Sequence, residues 1–313
     1  MARILVAEPV AKAAIELLAA SHETVVRPSL PRAELLAALS EPSGWDALVV
    51  RSQTRVDAAV LAAAAPRLRV VAVASVGADK VDLAAASSNG VMVLNSPTGS
   101  IIAAAEHTFA LMLALLRKIP AADASLRRGE WDRARFVGHE LWHRTLGIIG
   151  LGKIGGAVAQ RAAAFEMVVL AHDPYVTSSQ TVELVDLPEL LARADVMSLH
   201  VGLTPQTRGM IGEEQIRAIK RGAVLLNVAR GGLIDEAALV RALRDGHLAG
   251  AAIDVYSSEP MAPDNPLRGA PNTILTPHLG ASTVEAQARA GVEMAEQLLR
   301  ALSGVAPSRA LKA

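Results

Sequence analysis

Three glycines near the middle of the chain have the spacing of a loop that holds phosphate groups. Gly150, Gly152 and Gly155 form the pattern G-x-G-x-x-G within TLGIIGLGKIGG, residues 145–156, directly after a strand-like apolar run. The first glycine allows a tight turn, the second lets the backbone approach a pyrophosphate, and the third lets the next helix pack closely on the strand. Free N–H groups at the start of that helix would face the phosphates. The pattern therefore predicts a dinucleotide-binding loop.

An acidic residue at the end of the next predicted strand indicates which dinucleotide is bound. Asp173 ends the run VVLAHD and lies 18 residues after Gly155. An aspartate here can accept hydrogen bonds from both ribose hydroxyls and would repel a 2′-phosphate. Pro174 and Tyr175 follow, where an arginine would be needed to bind that phosphate. The sequence favours NAD over NADP, and the competing interpretation is a packing turn with a solvated aspartate.

Three residues of complementary chemistry each follow a predicted strand later in the chain. Arg230 ends AVLLNVAR, Glu259 lies in YSSEP after AAIDVY, and His278 follows TILTP. Ligands of parallel sheets bind beyond the carboxyl ends of the strands, so all three side chains are expected at the edge that carries the glycine loop. Arg230 would bind a carboxylate, His278 would take and return a hydroxyl proton, and Glu259 would orient the imidazole. Spacing alone also allows a surface arginine and a structural histidine.

The segments between these residues predict the fold that would position them. Apolar, β-branched runs such as RILVA, TVVR, ALVVRS, LRVVAVAS and VMVLN alternate with Ala- and Leu-rich helical segments, and a second series of such strands begins at residue 145. This alternation is typical of parallel sheets covered by helices on both faces. The prediction is an α/β protein with two doubly wound parallel-sheet domains and a cleft between them.

Turn residues mark the boundary between the two series. They lie in NSPTGS, residues 95–100, before a long apolar helix. A C-terminal helix is predicted from Ser282, which has capping-box spacing to Glu285, and this helix is expected to return to the first domain. The predicted domains are residues 1–99 together with 285–313, and residues 100–284, which contain the glycine loop.

Composition argues against several classes of function. Lysine plus arginine and aspartate plus glutamate both total 31, so no charge excess favours nucleic acid or an anionic membrane as a partner. The apolar segment 101–116 contains Glu106 and His107 and is too short to span a membrane, which favours a buried helix. Cysteine is absent and the N-terminus does not resemble a signal peptide, so a cytoplasmic location is expected.

One motif matches a zinc-binding signature. HELWH, residues 139–143, matches H-E-x-x-H, whose two histidines share a face only on a helix. Gly138 precedes the motif and the next strand begins at about residue 145, which leaves barely one turn. We interpret this segment as a loop, and no metal is expected.

Several long motifs, in order, resemble those of the D-2-hydroxyacid dehydrogenases over nearly the whole sequence. The matching stretches are VRSQTRVD, VGADKVDL, GIIGLGKIG, NVARGGLIDEAAL, AAIDVYSSEP and TPHLGASTVEAQ. The resemblance implies a flavodoxin-like substrate lobe and a Rossmann NAD lobe, whose closure would exclude water from hydride transfer. It also implies that NAD(H) exchanges a hydride with a small D-2-hydroxy acid or 2-oxo acid.

The resemblance also implies roles for individual residues. Arg230, Glu259 and His278 would be catalytic. The implied cofactor contacts are Gly150, Gly152, Lys153, Ile154, Gly155, Asp173, Val201, Val228, Ala229, Arg230, Asp254, His278 and Gly280. The implied substrate contacts are Arg51, Ser52, Ser75, Val76, Gly77, Arg230 and His278, with backbone N–H groups near Val76 and Gly77 binding the carboxylate.

The expected substrate is 3-phosphoglycerate, which would place the protein in serine biosynthesis. Relatives that oxidise it usually have a phosphate-binding arginine where this chain has Val73, while Arg51 remains and Lys80 adds positive charge. Three alternatives therefore stay open: another small acid as the substrate, reduction of glyoxylate or hydroxypyruvate, and a non-catalytic NAD sensor of the same fold.

Residues 101–130 resemble the family's dimerisation segment, which predicts a homodimer, or else a tetramer. The resemblance is to a short form of the enzyme, without the regulatory domain of longer relatives.

Overall fold

The chain forms two compact units. The computed structural model describes residues 1–307, 310 and 311. The first unit combines residues 1–100 with the C-terminal segment from residue 281, and the second consists of residues 101–280. The boundaries predicted from the sequence lie one residue from the first of these crossings and four residues from the second.

The first unit is built on a five-stranded parallel sheet in the order β2-β1-β3-β4-β5. This is the flavodoxin-like order. Successive strands are added first on one side of β1 and then on the other, so the strand order reverses between β1 and β3. The strands are β1 (Arg3–Val6), β2 (Glu23–Val26), β3 (Ala47–Val50), β4 (Val70–Val73) and β5 (Met92–Asn95). The helices between them are α1 (Lys12–Ala19), α2 (Arg32–Leu39), α3 (Ala58–Ala63) and α4 (Leu83–Ser88).

Alternating side chains of these strands build one core on each face of the sheet. Leu48 and Val50 pack on one face, whereas Ala47 and Val49 pack on the other. Because both faces are covered, the central strands β3 and β4 are apolar and buried at every position rather than at every second one. This burial explains why the strands were recognisable from the sequence as continuous apolar runs.

The second unit contains a seven-stranded sheet in the order β12-β11-β10-β9-β6-β7-β8, with every pair parallel. This is the Rossmann order with one added strand. The order in which strands are added reverses between β6 and β9. The strands are β6 (Thr145–Ile149), β7 (Val168–His172), β8 (Glu183–Leu184), β9 (Val196–Leu199), β10 (Val224–Asn227), β11 (Gly250–Ile253) and β12 (Thr273–Leu275). The helices are α5 (Ile101–Leu116), α6 (Ile119–Arg127), α7 (Lys153–Ala164), α8 (Leu187–Arg193), α9 (Glu213–Ala218) and α10 (Glu236–Arg244).

The predicted fold class of two doubly wound α/β units is confirmed. The edge strand β8 was not predicted, since its two residues, Glu183 and Leu184, form no apolar run. The apolar helix α5 is a core helix, with Phe109 and Met112 packed against Leu146 of β6. Among the helices that the structure describes, none is long and apolar enough to cross a membrane.

The C-terminal helix α11 (Val284–Leu302) belongs to the first unit. Its residues Met294 and Leu298 share a core with Ala14 and Leu18 of α1. The predicted cap was wrong by one residue, because Thr283, and not Ser282, has its side chain accepting the N–H of the residue three positions later. Both side chains have the chemistry of a cap, and the helix begins one residue later than the spacing of Ser282 and Glu285 predicts.

This difference predicts unequal effects for two similar substitutions. Thr283→Ala removes the acceptor for the Ala286 N–H and should lower the free energy of unfolding by about 1 kcal/mol. Ser282→Ala should change it by less than about 0.5 kcal/mol, since Ser282 is exposed and is not the cap. Urea unfolding of both variants provides the measurement, and a larger loss for Ser282→Ala would contradict the assigned cap.

Candidate active site

The glycine loop after β6 is shaped by two close approaches of the backbone. Gly150 has a φ of +94°, and a Cβ on it would lie 2.6 Å from Cγ1 of Val201 and 2.8 Å from the carbonyl oxygen of His200. A Cβ on Gly155 would lie 2.0 Å from the carbonyl oxygen of Gly150. Both positions therefore need glycine, which brings the start of α7 against the loop at the point where the sheet changes direction.

The start of α7 has the features of a phosphate site. Gly152 is the N-cap of α7 and provides no side-chain cap, so the first N–H groups of the helix are left for another acceptor. A Cβ on Gly152 would meet no atom within 4 Å, which means that the space beside it is open. Lys153 and Ile154, predicted as cofactor contacts, are the first two residues of this helix. The loop therefore fits a dinucleotide pyrophosphate.

Asp173 is fixed beside the glycine loop. It follows β7, and its Oδ2 accepts the N–H of Leu151 at 2.8 Å while Oδ1 accepts the N–H of Tyr175 at 2.9 Å. An ionised carboxylate has about four lone-pair positions, so two remain available for the hydroxyls of a ribose. This position fits the predicted preference for NAD.

The loop after β10 delivers Arg230 through a buried residue that the sequence analysis missed. Asn227, the last residue of β10, donates from Nδ2 to the carbonyl oxygen of Arg230 at 2.9 Å and accepts the N–H of Ala229 at 3.1 Å. Its side chain is 1% exposed. A polar residue that ends an otherwise apolar strand was the signal that would have revealed it. Val201 and Val228, also predicted contacts, follow β9 and β10 at this edge.

A glycine lets the loops after β10 and β11 touch. A Cβ on Gly231 would lie 1.9 Å from the carbonyl carbon of Tyr256, so no other residue fits there without moving the backbone. Arg230, directly before it, donates from Nη1 to the carbonyl oxygen of Ala229 at 2.7 Å. Arg230 thus lies in the loop after β10, the strand that neighbours β11, which leads to Glu259.

Glu259 and His278 form a hydrogen-bonded pair. Nδ1 of His278 lies 2.7 Å from Oε2 of Glu259, and Oε1 of Glu259 accepts the N–H of Tyr256 at 3.2 Å. A carboxylate can only accept, so Nδ1 carries the hydrogen and Nε2 is the nitrogen left to exchange a proton. The imidazole is 44% exposed, which leaves it accessible to a ligand. The hydrogen bond expected from the sequence is present.

The turn that carries His278 is held by the buried carboxylate of Asp254. This carboxylate accepts the N–H groups of Leu279 at 2.7 Å and Gly280 at 2.9 Å, and the hydroxyl of Thr276 at 2.6 Å. His278 itself has a φ of +57°, in the left-handed region that only a well-held backbone maintains. Burial alone would raise the pKa of Asp254, but the side chains of His107 and Thr276 and the N–H of Leu279, which all contact the carboxylate, outweigh burial and lower the pKa.

Asp254 and Gly280 were predicted as cofactor contacts, and in the structure the N–H of Gly280 donates a hydrogen bond to Oδ2 of Asp254. Their contact with a cofactor stays a prediction. A second histidine, His107 on α5, lies with Nε2 3.3 Å from Oδ1 of Asp254 and was not predicted as part of the site. Nothing in its apolar helical segment pointed to this contact.

The predicted substrate residues of the first unit follow two neighbouring strands. Arg51 and Ser52 follow β3, while Ser75, Val76 and Gly77 follow β4. The second loop is fixed by the Ser75 hydroxyl, which donates to the carbonyl oxygen of Gly77 at 2.8 Å. Their binding of a substrate stays a prediction.

The HELWH segment lies in a loop before β6 and contains no helix, only a turn in which the N–H of Arg144 donates to the carbonyl oxygen of Leu141. His139 and His143 therefore do not share a helical face. Within the part of the chain that the structure describes, no group of three or more histidine, aspartate or glutamate side chains is arranged to hold a metal ion.

Fold and site together define a nucleotide-binding α/β protein with a histidine–carboxylate pair at the edge of its Rossmann sheet. Residues 109–280 match the family described as D-isomer specific 2-hydroxyacid dehydrogenase, NAD binding domain. The chain belongs to this family, and its second unit is an NAD-binding domain.

Individual relatives match over nearly the whole chain. D-3-phosphoglycerate dehydrogenase of Methanocaldococcus jannaschii is 49% identical over 309 residues, which cover 97% of this chain and 58% of the relative. The enzyme of the same name from Mycobacterium tuberculosis is 48% identical over 305 residues, covering 96% of this chain and 57% of the relative. The crystal structure of the TT0316 protein from Thermus thermophilus is 40% identical with a TM-score of 0.91, and 99% of each chain is covered. The chain thus spans little more than half the length of these curated relatives.

The open space beside Gly152 predicts a substitution that separates binding from folding. Gly152→Ala should raise the dissociation constant of NADH by about tenfold or more, because its methyl group would occupy the space that the pyrophosphate needs. Gly156→Ala is the matched control, since a Cβ there also meets nothing within 4 Å and its N–H already donates to Gly152. NADH fluorescence titration measures both, and equal affinities for the two variants would contradict the assigned phosphate site.

Proposed function

We propose that the protein is an NAD-dependent oxidoreductase that transfers a hydride between NAD(H) and a small D-2-hydroxy acid or 2-oxo acid. The observation that carries this proposal is the 2.7 Å contact between His278 Nδ1 and Glu259 at the edge that also bears the glycine loop and Arg230. A general base beside a carboxylate-binding cation is the arrangement that oxidation of a hydroxy acid requires.

In this proposal each side chain has one task. Nε2 of His278 takes the hydroxyl proton during oxidation and returns it to the carbonyl oxygen during reduction. Glu259 accepts the Nδ1 hydrogen, which fixes the ring orientation and stabilises the imidazolium that forms. Arg230 offers a planar guanidinium to the substrate carboxylate and the neighbouring oxygen. Bound NAD supplies the hydride acceptor, or, as NADH, the donor for the reverse reaction.

The proposed substrate is 3-phosphoglycerate, because relatives at 48–49% identity carry the name D-3-phosphoglycerate dehydrogenase. One observation favours a second candidate, a small acid without a phosphate such as glyoxylate or hydroxypyruvate. Val73 is 1% exposed and packs in the core with Leu48 and Val71, so this position offers no cation to a phosphate. Arg51 and the exposed Arg55 follow β3, and the exposed Lys80 follows β4, so these cations offer the positive charge that Val73 lacks.

Relative kcat/KM values decide between these substrates. Purified protein is assayed with NAD and 3-phosphoglycerate, and with NADH and a panel of unphosphorylated 2-oxo acids. A preference for 3-phosphoglycerate supports the first candidate and a role in serine biosynthesis, whereas a preference for glyoxylate or hydroxypyruvate supports the second. Tight NADH binding without turnover of any acid would refute the enzymatic proposal in favour of an NAD sensor.

Loss of the proposed base should abolish chemistry but not cofactor binding. We expect His278→Ala to lower kcat by at least about 10²-fold, while the dissociation constant of NADH changes less than about twofold. His139→Ala, in the exposed loop before β6, is the control and should behave like the wild type. A large loss of NADH affinity in His278→Ala would contradict the role of the imidazole.

We also propose that the protein is a homodimer formed through α6 and the loop after it. Only Ser125 is buried in α6, whereas Ile119 and Leu126 are 53% and 57% exposed. Trp131 and Val137 in the following loop are 80% and 72% exposed. Large apolar side chains concentrated in one exposed segment are typical of a surface that another protein covers.

The cytoplasmic location expected from the sequence stays a prediction.

A charge placed on this segment should separate the two copies. Leu126→Glu should convert a dimer into a monomer without lowering the stability of the chain, because its side chain is exposed in the single subunit. Val305→Glu, at a residue that is 50% exposed in the first unit, is the control and should stay dimeric. Size-exclusion chromatography with light scattering gives the mass. A monomeric wild type, or a tetramer that Leu126→Glu leaves intact, would contradict this interface.

A further inference from the structure

The sheet of the first unit also has a point at which its strand order changes direction. This point lies between β1 and β3, which are neighbours in the order β2-β1-β3-β4-β5. Ligands of open α/β sheets bind beyond the carboxyl ends of the strands at such a point. Two segments lie there in this protein, Glu8 after β1 and residues 51–54 after β3.

A carboxylate of the protein itself occupies this position. Oε2 of Glu8 accepts the N–H of Ser52 at 3.1 Å, and Oε1 accepts the N–H of Thr54 at 2.7 Å. The N–H of Gln53, between them, lies 3.2 Å from Oε1 and 3.1 Å from Oε2. Glu8 is only 3% exposed. Three consecutive backbone N–H groups thus converge on one buried carboxylate, as they would on a bound anion.

Glu8 is charged in this environment. Burial by itself would raise its pKa, but the backbone N–H groups of the 51–54 loop outweigh burial and lower the pKa below its ordinary value. The donors that a ligand anion would use at this point of the sheet are therefore already satisfied by an internal anion. A second carboxylate or phosphate placed against the same N–H groups would also be repelled by Glu8.

The neighbouring loop after β4 is arranged in the opposite way. The hydroxyl of Ser75 donates to the carbonyl oxygen of Gly77 at 2.8 Å, and Nδ2 of Asn95 donates to that of Val76 at 2.6 Å. In both hydrogen bonds a backbone carbonyl oxygen of the loop is the acceptor. The N–H groups of Val76 and Gly77, by contrast, have no hydrogen-bond acceptor within the described residues. The two loops are tied together, since the Ser75 hydroxyl also lies 3.4 Å from the carbonyl oxygen of Arg51.

We propose that Glu8 is a positioning residue that determines where the substrate's anionic group binds. It occupies the N–H groups of residues 52–54, holds Arg51 and Ser52 at the end of β3, and confines the substrate carboxylate to the N–H groups of Val76 and Gly77. This inference rests on the proposed function, because it assigns the substrate contacts of that same reaction. Glu8 acts through the 51–54 loop and touches neither the substrate nor the cofactor.

The isosteric variant Glu8→Gln tests the proposal. The amide keeps the shape of the side chain, but its NH₂ group faces backbone donors and cannot accept their hydrogens. We expect KM for the acid substrate to rise by about tenfold, with kcat and the dissociation constant of NADH within about twofold of the wild type. Glu16→Gln is the matched control, since Glu16 is an exposed carboxylate on α1 and should leave all three values unchanged.

A free carboxylate provides a second, independent readout. Glu8→Ala leaves the three N–H groups without an acceptor, and added sodium acetate can supply one. Acetate should therefore lower the KM of Glu8→Ala towards the wild-type value while leaving the KM of the wild type unchanged or higher. A KM of Glu8→Ala that acetate leaves unchanged would contradict the proposal that these N–H groups need an anion.

The outcomes separate the inference from the function on which it rests. Absence of turnover in the wild type refutes the proposed function, and the inference with it. Turnover in the wild type combined with an unchanged KM in Glu8→Gln, or with a loss confined to kcat, overturns the inference alone. If Glu8→Gln does not fold, Glu8→Asp decides: its shorter charged side chain should raise KM by about threefold, and a wild-type KM would overturn the proposal.

Discussion

The site depends on one hydrogen bond between an imidazole and a carboxylate from two separate loops. Nδ1 of His278 reaches Oε2 of Glu259 because each partner is held by backbone: Glu259 accepts the N–H of Tyr256, and the His278 turn donates its N–H groups to Asp254. A hydrogen bond to a charged group contributes about 1.5–3 kcal/mol, which is comparable to the cost of about 1–3 kcal/mol for one residue in the left-handed region. The pair therefore helps to fix both the tautomer and the direction of the ring.

The fold was predictable because its determinants are local. Both sheets are buried on two faces, so their strands appear in the sequence as apolar runs, and glycines at 150 and 155 stand where no Cβ would fit. The position of Arg230, Glu259 and His278 at one edge was predictable for a related reason, since each follows a recognisable strand and parallel strands end at one edge. The order of strands along the chain, and the residues that follow each strand, can therefore be predicted from the pattern of apolar runs.

The rest of the site could not be predicted because it consists of long-range hydrogen bonds. Glu8 holds the 51–54 loop across 44 to 46 residues of sequence, yet in the sequence it is a single polar residue without a repeating pattern. The cap of α11 was misplaced by one residue because Ser282 and Thr283 have the same capping chemistry, and only tertiary packing distinguishes them. Such contacts depend on which loops meet, and that information appears only once the sheet is assembled.

The tautomer of His278 shows whether Glu259 fixes the imidazole. Long-range ¹H–¹⁵N correlation NMR of the ring, with NADH present and at about pH 9 where an ordinary imidazole is neutral, distinguishes the Nδ1–H form from the Nε2–H form. Comparison with a histidine-free variant at position 278 assigns the signal, and Glu259→Gln provides the reference without the carboxylate. We expect the Nδ1–H form in the wild type. A ring that is protonated on Nε2, or one that Glu259→Gln leaves unchanged, would contradict it.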